Sequence, residues 1–246
     1  MATDNPAWRL QRILERALTA PNGILRDLWA TAFDIRRDET ALLFRRLAEM
    51  HRLVDEVESA VRSIPAIDHD YYLQNLSALR SAISVVNLER QANDAVSLIH
   101  GYLMRDIGFW ARHLDQMGFN VIISDEEIKA LLADLDKIMD EVRSAQIDDD
   151  LRAVVLDGLE GVRRAISEFW LHGTAGLREE VDRAIGRLAR YAPDLKQHAK
   201  DGWFAHVFVM LARIDSVVER GKKYLPLVKP VARLLGFDVE LPPLLE

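Results

Sequence analysis

The stretch Ser124–Tyr191, SDEEIKALLADLDKIMDEVRSAQIDDDLRAVVLDGLEGVRRAISEFWLHGTAGLREEVDRAIGRLARY, decides the fold class. Ser124 stands three residues ahead of Glu127, with Asp125 and Glu126 between them. That is a capping box, and its acids suit the positive end of a helix dipole. Ile128, Leu131, Leu135, Ile138, Val142 and Ala145 then recur at alternating steps of three and four. This spacing lays them along one stripe of a helix, close to a coiled-coil seam. Gln146–Asp150 reads as a short polar connection whose aspartates can cap the next helix. Leu151, Val155, Leu159, Val162, Ile166 and Phe169 form a second stripe. Helices joined by so few residues are expected to pack antiparallel. Gly173-Thr174-Ala175-Gly176 breaks the chain and offers Thr174 as a cap. Leu177, Val181, Ile185 and Leu188 begin a third stripe, which Pro193 stops.

The same reading extends upstream. Trp8, Ile13, Leu14 and Leu18 predict a short amphipathic helix ended by Pro21-Asn22-Gly23, and Ile24–Phe33 predicts another. Leu43, Leu47, Met50, Val54, Val57, Val61 and Ile64 predict a long helix that Pro65 ends. Tyr72, Leu76, Leu79, Ile83 and Val86 carry the rhythm onward, with Asp68-His69-Asp70 as the cap. The rhythm falters at Arg90 and Asn93, then resumes on a shifted stripe at Ala92, Val96, Ile99, Leu103, Ile107, Trp110 and Leu114. A bend, a change of partner helix or a polar feature in the core would each produce this. Phe119–Ile123 reads as an apolar buried connector. The expected fold is therefore all-α, an elongated multi-helix bundle built from antiparallel hairpins at about residues 39–117 and 125–171. Residues 1–120 read as an N-terminal helical region, and residues 121–246 as a C-terminal bundle with an apolar tail. The two could also form one continuous domain.

Composition narrows the class. Of 246 residues, 49% are hydrophobic and 29% charged, the balance of a soluble folded protein. There is no cysteine, which excludes disulfides and thiolate metal sites and favours a reducing, cytoplasmic setting. Arg greatly outnumbers Lys, which points to a GC-rich bacterial genome. The N-terminus reads as amphipathic and charged rather than as a secretory signal, and no apolar run reaches the ~20 residues of a spanning helix. Net charge is −7, and the basic dipeptides lie among acids, so nucleic acid is not expected as a partner.

Few residues suggest chemistry. There is no phosphate loop, dinucleotide fingerprint or nucleophile elbow, and no cofactor or metal is expected. Glu168 with His172, and His198 with His206, lack the paired Glu-x-x-His motifs of bundle metal sites, and read as caps or interface polar groups. Gly158, Gly161 and Gly186 fall inside helices, where close packing is the plainest explanation. Arg46 and His51 are the one catalytic candidate pair. Their spacing is similar to that of the HEPN ribonucleases, an all-α family. There, such a pair activates a ribose hydroxyl and stabilises phosphate charge. Leu47 stands where that family has a polar residue after the Arg. The expectation is that Arg46 and His51 are a solvated helix face.

The C-terminal third differs. Trp203, Phe204, Val207, Phe208 and Leu211 cover more than one stripe of a helix, so most of its sides need cover. These five are the candidate interaction residues, and Tyr224–Glu246 is expected to fold back over Trp203–Ile214. The functional expectation is a non-catalytic helical adaptor or regulator acting through a protein partner or a homo-oligomer. A membrane-associated effector using the apolar C-terminal third is one alternative, and an all-α nuclease using Arg46 and His51 is the other.

Overall fold

A computed structural model describes residues 2–21, 23–119, 121–198 and 200–219. The expected packing of Tyr224–Glu246 lies outside the described residues. The chain is all-α. Among the described residues, strand is confined to the two-residue segments Ala2–Thr3 and Ile122–Ile123. Contacts divide the chain into two units: Thr3–Asn120, and Val121–Glu246 with Met1–Ala2.

The C-terminal unit follows the seams. Helix α8 (Asp125–Ser144) starts where Ser124 Oγ accepts the Glu127 N–H at 3.0 Å. Helix α9 (Asp149–Ser167) starts where Asp148 accepts the Asp150 N–H at 2.8 Å. Helix α10 (Phe169–Arg190) is bent at Gly173, whose φ of 60° lies in the left-handed region that glycine alone enters without strain. After the short α11 (Ala192–Gln197) comes α12 (Gly202–Glu219). As positions on α9 rise, their partners on α10 fall: Asp157 pairs with Arg187, Gly158 meets Ala184 and Gly161 meets Glu180. Likewise α12 meets α8 through Arg213–Asp134 at 2.8 Å and His206–Glu141 at 2.6 Å. Both helix pairs therefore run antiparallel. Leu131, Leu135, Ile138 and Val142 of α8 enter one core with Leu151, Val155, Leu159 and Val162 of α9 and Leu177, Val181 and Ile185 of α10. Each such aliphatic side chain contributes about 1.5–3 kcal/mol on burial.

Close packing of helix on helix explains Gly158, while at Gly161 an added carbon would meet only the movable end of Glu180. A Cβ on Gly158 would lie 3.3 Å from the Ala184 Cβ, and one on Gly161 would meet the Glu180 carboxylate. Gly186 has open space around it, so close packing does not account for it. The connector expected to be buried is also corrected. Ile122–Ile123 is a strand whose partner begins at Ala2 of the same unit; Val121 and Ile123 of the connector are buried, and Ile122 is exposed. Strand alternation sends the two isoleucines to opposite faces.

The N-terminal unit is less regular. Helix α1 (Pro6–Ala17) packs on α2 (Leu25–Ala32), α3 (Thr40–Arg62) and α7 (Met104–Gln116). Asn5, fully buried, caps α1 through Oδ1 and donates through Nδ2 to the Ala111 carbonyl and Asp115, each at 2.8 Å. Arg9, 1% exposed, reaches Glu56 on α3 at 2.6 Å. After α3 the expected second arm is not one helix. It breaks into α4 (His69–Leu73), α5 (Leu76–Ala82), a 3₁₀ turn Val85–Asn87, α6 (Asn93–Leu98), a π-helical turn Ile99–Leu103 and α7. The π turn widens the helix by one residue and turns the inward stripe. That is how Ile99, Leu103, Ile107, Trp110 and Leu114 all reach the core after the rhythm fails at Asn93.

Candidate functional site

The residues proposed from sequence are placed as follows. Arg46 is half-buried on α3 and pairs with Glu49, one turn on, at 2.9 Å. His51 lies five residues further along the same helix, which sets the two side chains roughly 140° apart around the axis. The Arg46 guanidinium is engaged by the Glu49 carboxylate rather than by His51. His198 pairs with Asp201 at 2.7 Å and His206 with Glu141 at 2.6 Å, each as the partner of a carboxylate. Trp203, Phe204, Val207, Phe208 and Leu211 are all buried in the core of the C-terminal unit, with Phe204 and Phe208 in ring contact at 4.8 Å. These five are core-forming side chains here, not an open contact surface. No helix among the described residues is long and apolar enough to cross a membrane.

A different cluster, in the N-terminal unit, is large, aromatic and open. Two adjacent aromatic pairs, Tyr71-Tyr72 and Phe109-Trp110, sit on α4 and α7. Neighbours on a helix point about 100° apart, so a single buried stripe cannot take both members of a pair. On α7 the core takes Trp110, which is fully buried, and leaves Phe109 at the margin. Phe109 then stacks flat against Tyr72, with centroids 4.3 Å apart and an interplanar angle of 1°. His113, one turn on, packs against the Phe109 ring at 4.0 Å. Tyr71, 54% exposed, meets Tyr72 edge-on at 5.3 Å. Tyr102, on the π turn, is 55% exposed.

Arg105 stands among these rings. Its Nε and Nη2 both donate to Asp106 Oδ1 at 3.1 Å. Asp106 is buried and also accepts from Asn75 Nδ2 at 3.2 Å. The buried carboxylate thus holds the guanidinium in one orientation at the surface. The Arg105 pKa is raised, first by the Asp106 hydrogen bond and its charge, with smaller contributions from Tyr71 and Tyr102. The result is an exposed cation paired with a buried carboxylate, with Tyr71 and Tyr102 near enough to act on its charge. Rigid aromatic rings and an oriented Arg are the side chains that dominate protein-contact hot spots.

Sequence reading put Tyr72 on a seam and passed over Tyr71, Tyr102, Arg105 and Phe109. The signal lies in the doublets Tyr71-Tyr72 and Phe109-Trp110, each holding more apolar bulk than one stripe can bury, although a doublet alone does not mark an open face, since Trp203-Phe204 is buried. Comparison with protein-family models, curated proteins and solved structures finds no match.

Proposed function

We propose that this chain is a non-catalytic interaction protein that binds a protein partner through the face formed by Tyr71, Tyr72, Tyr102, Arg105, Phe109 and His113. One observation carries this reading: stacked aromatic rings lie half-open on a unit that has a complete core of its own beneath them. Open rings give large contact area at small entropic cost when a partner covers them. The pairing of Arg46 with Glu49 and the burial of Trp203–Leu211 favour this reading over the two alternatives, a nuclease and a membrane-lying helix.

The test is a photoreactive residue placed at Tyr71 or Tyr102 in the intact protein in cells, with exposed Glu15 as the control position. The expected result is a discrete adduct at both tyrosine positions and none at Glu15, with adduct mass separating a second copy from a different protein. Arg105→Ala should weaken the adduct while leaving helicity unchanged. Equal labelling at all three positions would overturn the reading.

A further inference from the structure

The break that the sequence shows at Arg90 and Asn93 opens a cavity of about 440 Å³ in the N-terminal unit. Leu25, Ala82, Ala95 and Leu98 supply apolar walls, and Arg90 and Asp94 stand at its rim. Small wall residues leave the space, and backbone hydrogen bonds hold it open. Leu25 N–H donates to the Arg90 carbonyl, Arg26 N–H to Leu88 and Ala92 N–H to Gly23, each at 2.9 Å. Asn87 Nδ2 ties the 3₁₀ turn to the Ser81 carbonyl at 2.7 Å, and Trp29 Nε1 ties down the Ala82 carbonyl at 2.9 Å. The cavity is thus pre-formed, and its volume lies near the low end of small-molecule sites, about 300–1,000 Å³.

The charges decide the ligand class. Arg26 takes Glu89 at 2.7 Å, so the acid next to Arg90 is already satisfied. Among the described residues, the side chains of Arg90 and Asp94 make no hydrogen bond or ion pair with each other or with a neighbour. Arg90 and Asp94, exposed side chains without a partner among the described residues, line a pocket whose walls are part apolar and part polar, with Ser81, Asn87 and Gln91 contributing. Arg favours a carboxylate, in bidentate geometry, and Asp favours an ammonium.

We propose that this pocket binds a small zwitterionic molecule with an aliphatic body, of dipeptide size. Its carboxylate lies on Arg90, its ammonium on Asp94, and its body on Leu25, Ala82, Ala95 and Leu98. The site is separate from the aromatic face and does not depend on that face binding a protein.

The experiment is titration of the full-length, ¹⁵N-labelled protein with L-leucyl-L-leucine. The same peptide with its amine acetylated and its carboxyl amidated is the control. The expected result is saturable shifts confined to amides of residues 25 and 78–98, and none from the capped peptide. Arg90→Gln and Asp94→Asn, both at exposed positions, should each weaken binding about tenfold or more, the loss of one charge-assisted hydrogen bond. The proposal is overturned by an absence of shifts at about 10 mM peptide, the weak limit of a small-ligand site. Equal binding of the capped peptide, wild-type affinity in both variants, or shifts confined to other residues would overturn it as well.

Discussion

The two units solve the same packing problem with different success. In the C-terminal unit, each of α8, α9 and α10 carries one stripe of aliphatic residues, and that stripe holds nearly all its large apolar side chains. The helices run long, and their outer faces are charged. In the N-terminal unit, the chain after α3 carries paired aromatic residues and a polar interruption that one stripe cannot absorb. It breaks into short helices, a 3₁₀ turn and a π turn. Open rings and an open cavity are left behind. Regular helices follow where apolar bulk matches the stripe; where it exceeds the stripe, α12 is buried on several sides, whereas the N-terminal unit leaves rings open.

The contrast is sharpest for two phenylalanines. Phe208 of α12 is 1% exposed inside the C-terminal core, whereas Phe109 lies at the margin of α7. Phe208→Ala should lower stability by about 3–5 kcal/mol, because it removes buried surface and leaves a cavity. Phe109→Ala should cost roughly 1 kcal/mol, most of it from the lost Tyr72 stack. Urea denaturation of the two variants measures both. Equal losses would mean that the aromatic face is core, and the distinction between the units would fall.

The α9–α10 crossing allows a second break. Gly158 lies so close to Ala184 that even one added carbon is tight. Gly158→Leu should cost about 1–3 kcal/mol through overpacking, whereas Gly186→Leu, with open space around it, should be near neutral. Thermal denaturation followed by circular dichroism separates the two. A similar loss at both positions would show that the approach of α10 does not set Gly158 apart, since helix propensity alone favours leucine over glycine at either site.

Legibility from sequence follows the same divide. The seams in Ser124–Leu188 were readable because a helix that buries one face writes its period into the chain. The caps at Ser124, Asp148 and Asp68 were readable because side-chain and backbone partners are neighbours in sequence. Asn5 was not. It caps α1 locally, but its burial depends on Ala111 and Asp115, more than a hundred residues away. The break between α5 and α6 is visible as a stumble at Arg90 and Asn93, but the π turn Ile99–Leu103 is not, since register cannot say how a helix absorbs an extra residue. The apolar excess of Trp203–Leu211 was read correctly as a demand for cover. Which elements supply that cover cannot be read from the chain, because α12's packing on α8 and α10 is a tertiary fact. Tyr71 and Phe109 are the members of their doublets that one buried stripe does not take, whereas Trp203 and Phe204 are both buried because α12 is covered on more than one side.

Within the N-terminal unit, two tryptophans isolate a smaller effect. Trp29 and Trp110 are both fully buried, but Trp29 Nε1 donates to the Ala82 carbonyl at 2.9 Å, while Trp110 Nε1 has no hydrogen-bond partner among the described residues. Replacement by Phe removes the same volume at each site. Trp29→Phe should therefore cost about 1 kcal/mol more than Trp110→Phe, the net worth of one buried hydrogen bond. Because the Ala82 carbonyl is part of the cavity wall, Trp29→Phe should also disturb the amides of residues 78–98 in the ¹⁵N spectrum. Equal stability of the two variants would remove the claim that the wall is pinned by this bond.

The smallest expected effect concerns charge. Glu58 accepts from Arg80 at 2.7 Å and from Arg62 at 2.8 Å, tying α3 to α5. These hydrogen bonds, Arg80's first, hold its pKa below its ordinary value of 4.5. A carboxylate whose folded pKa lies below its unfolded one binds fewer protons when folded. Its contribution is complete above 4.5 and is lost as pH falls through the lowered value. Asp134 behaves alike in the C-terminal unit: its pKa is lowered first by the hydrogen bond from Arg213 and then by Lys137. Both sites are partly open to water, so each is worth less than about 1 kcal/mol near neutrality. Glu58→Gln should lower stability by that amount at neutral pH and by nothing once the carboxylate is protonated in both states. The variant's stability curve should therefore meet the wild type's at acid pH. Urea midpoints measured across the acid range test this, and parallel curves that never converge would show that Glu58 acts through packing of its methylenes rather than through its charge.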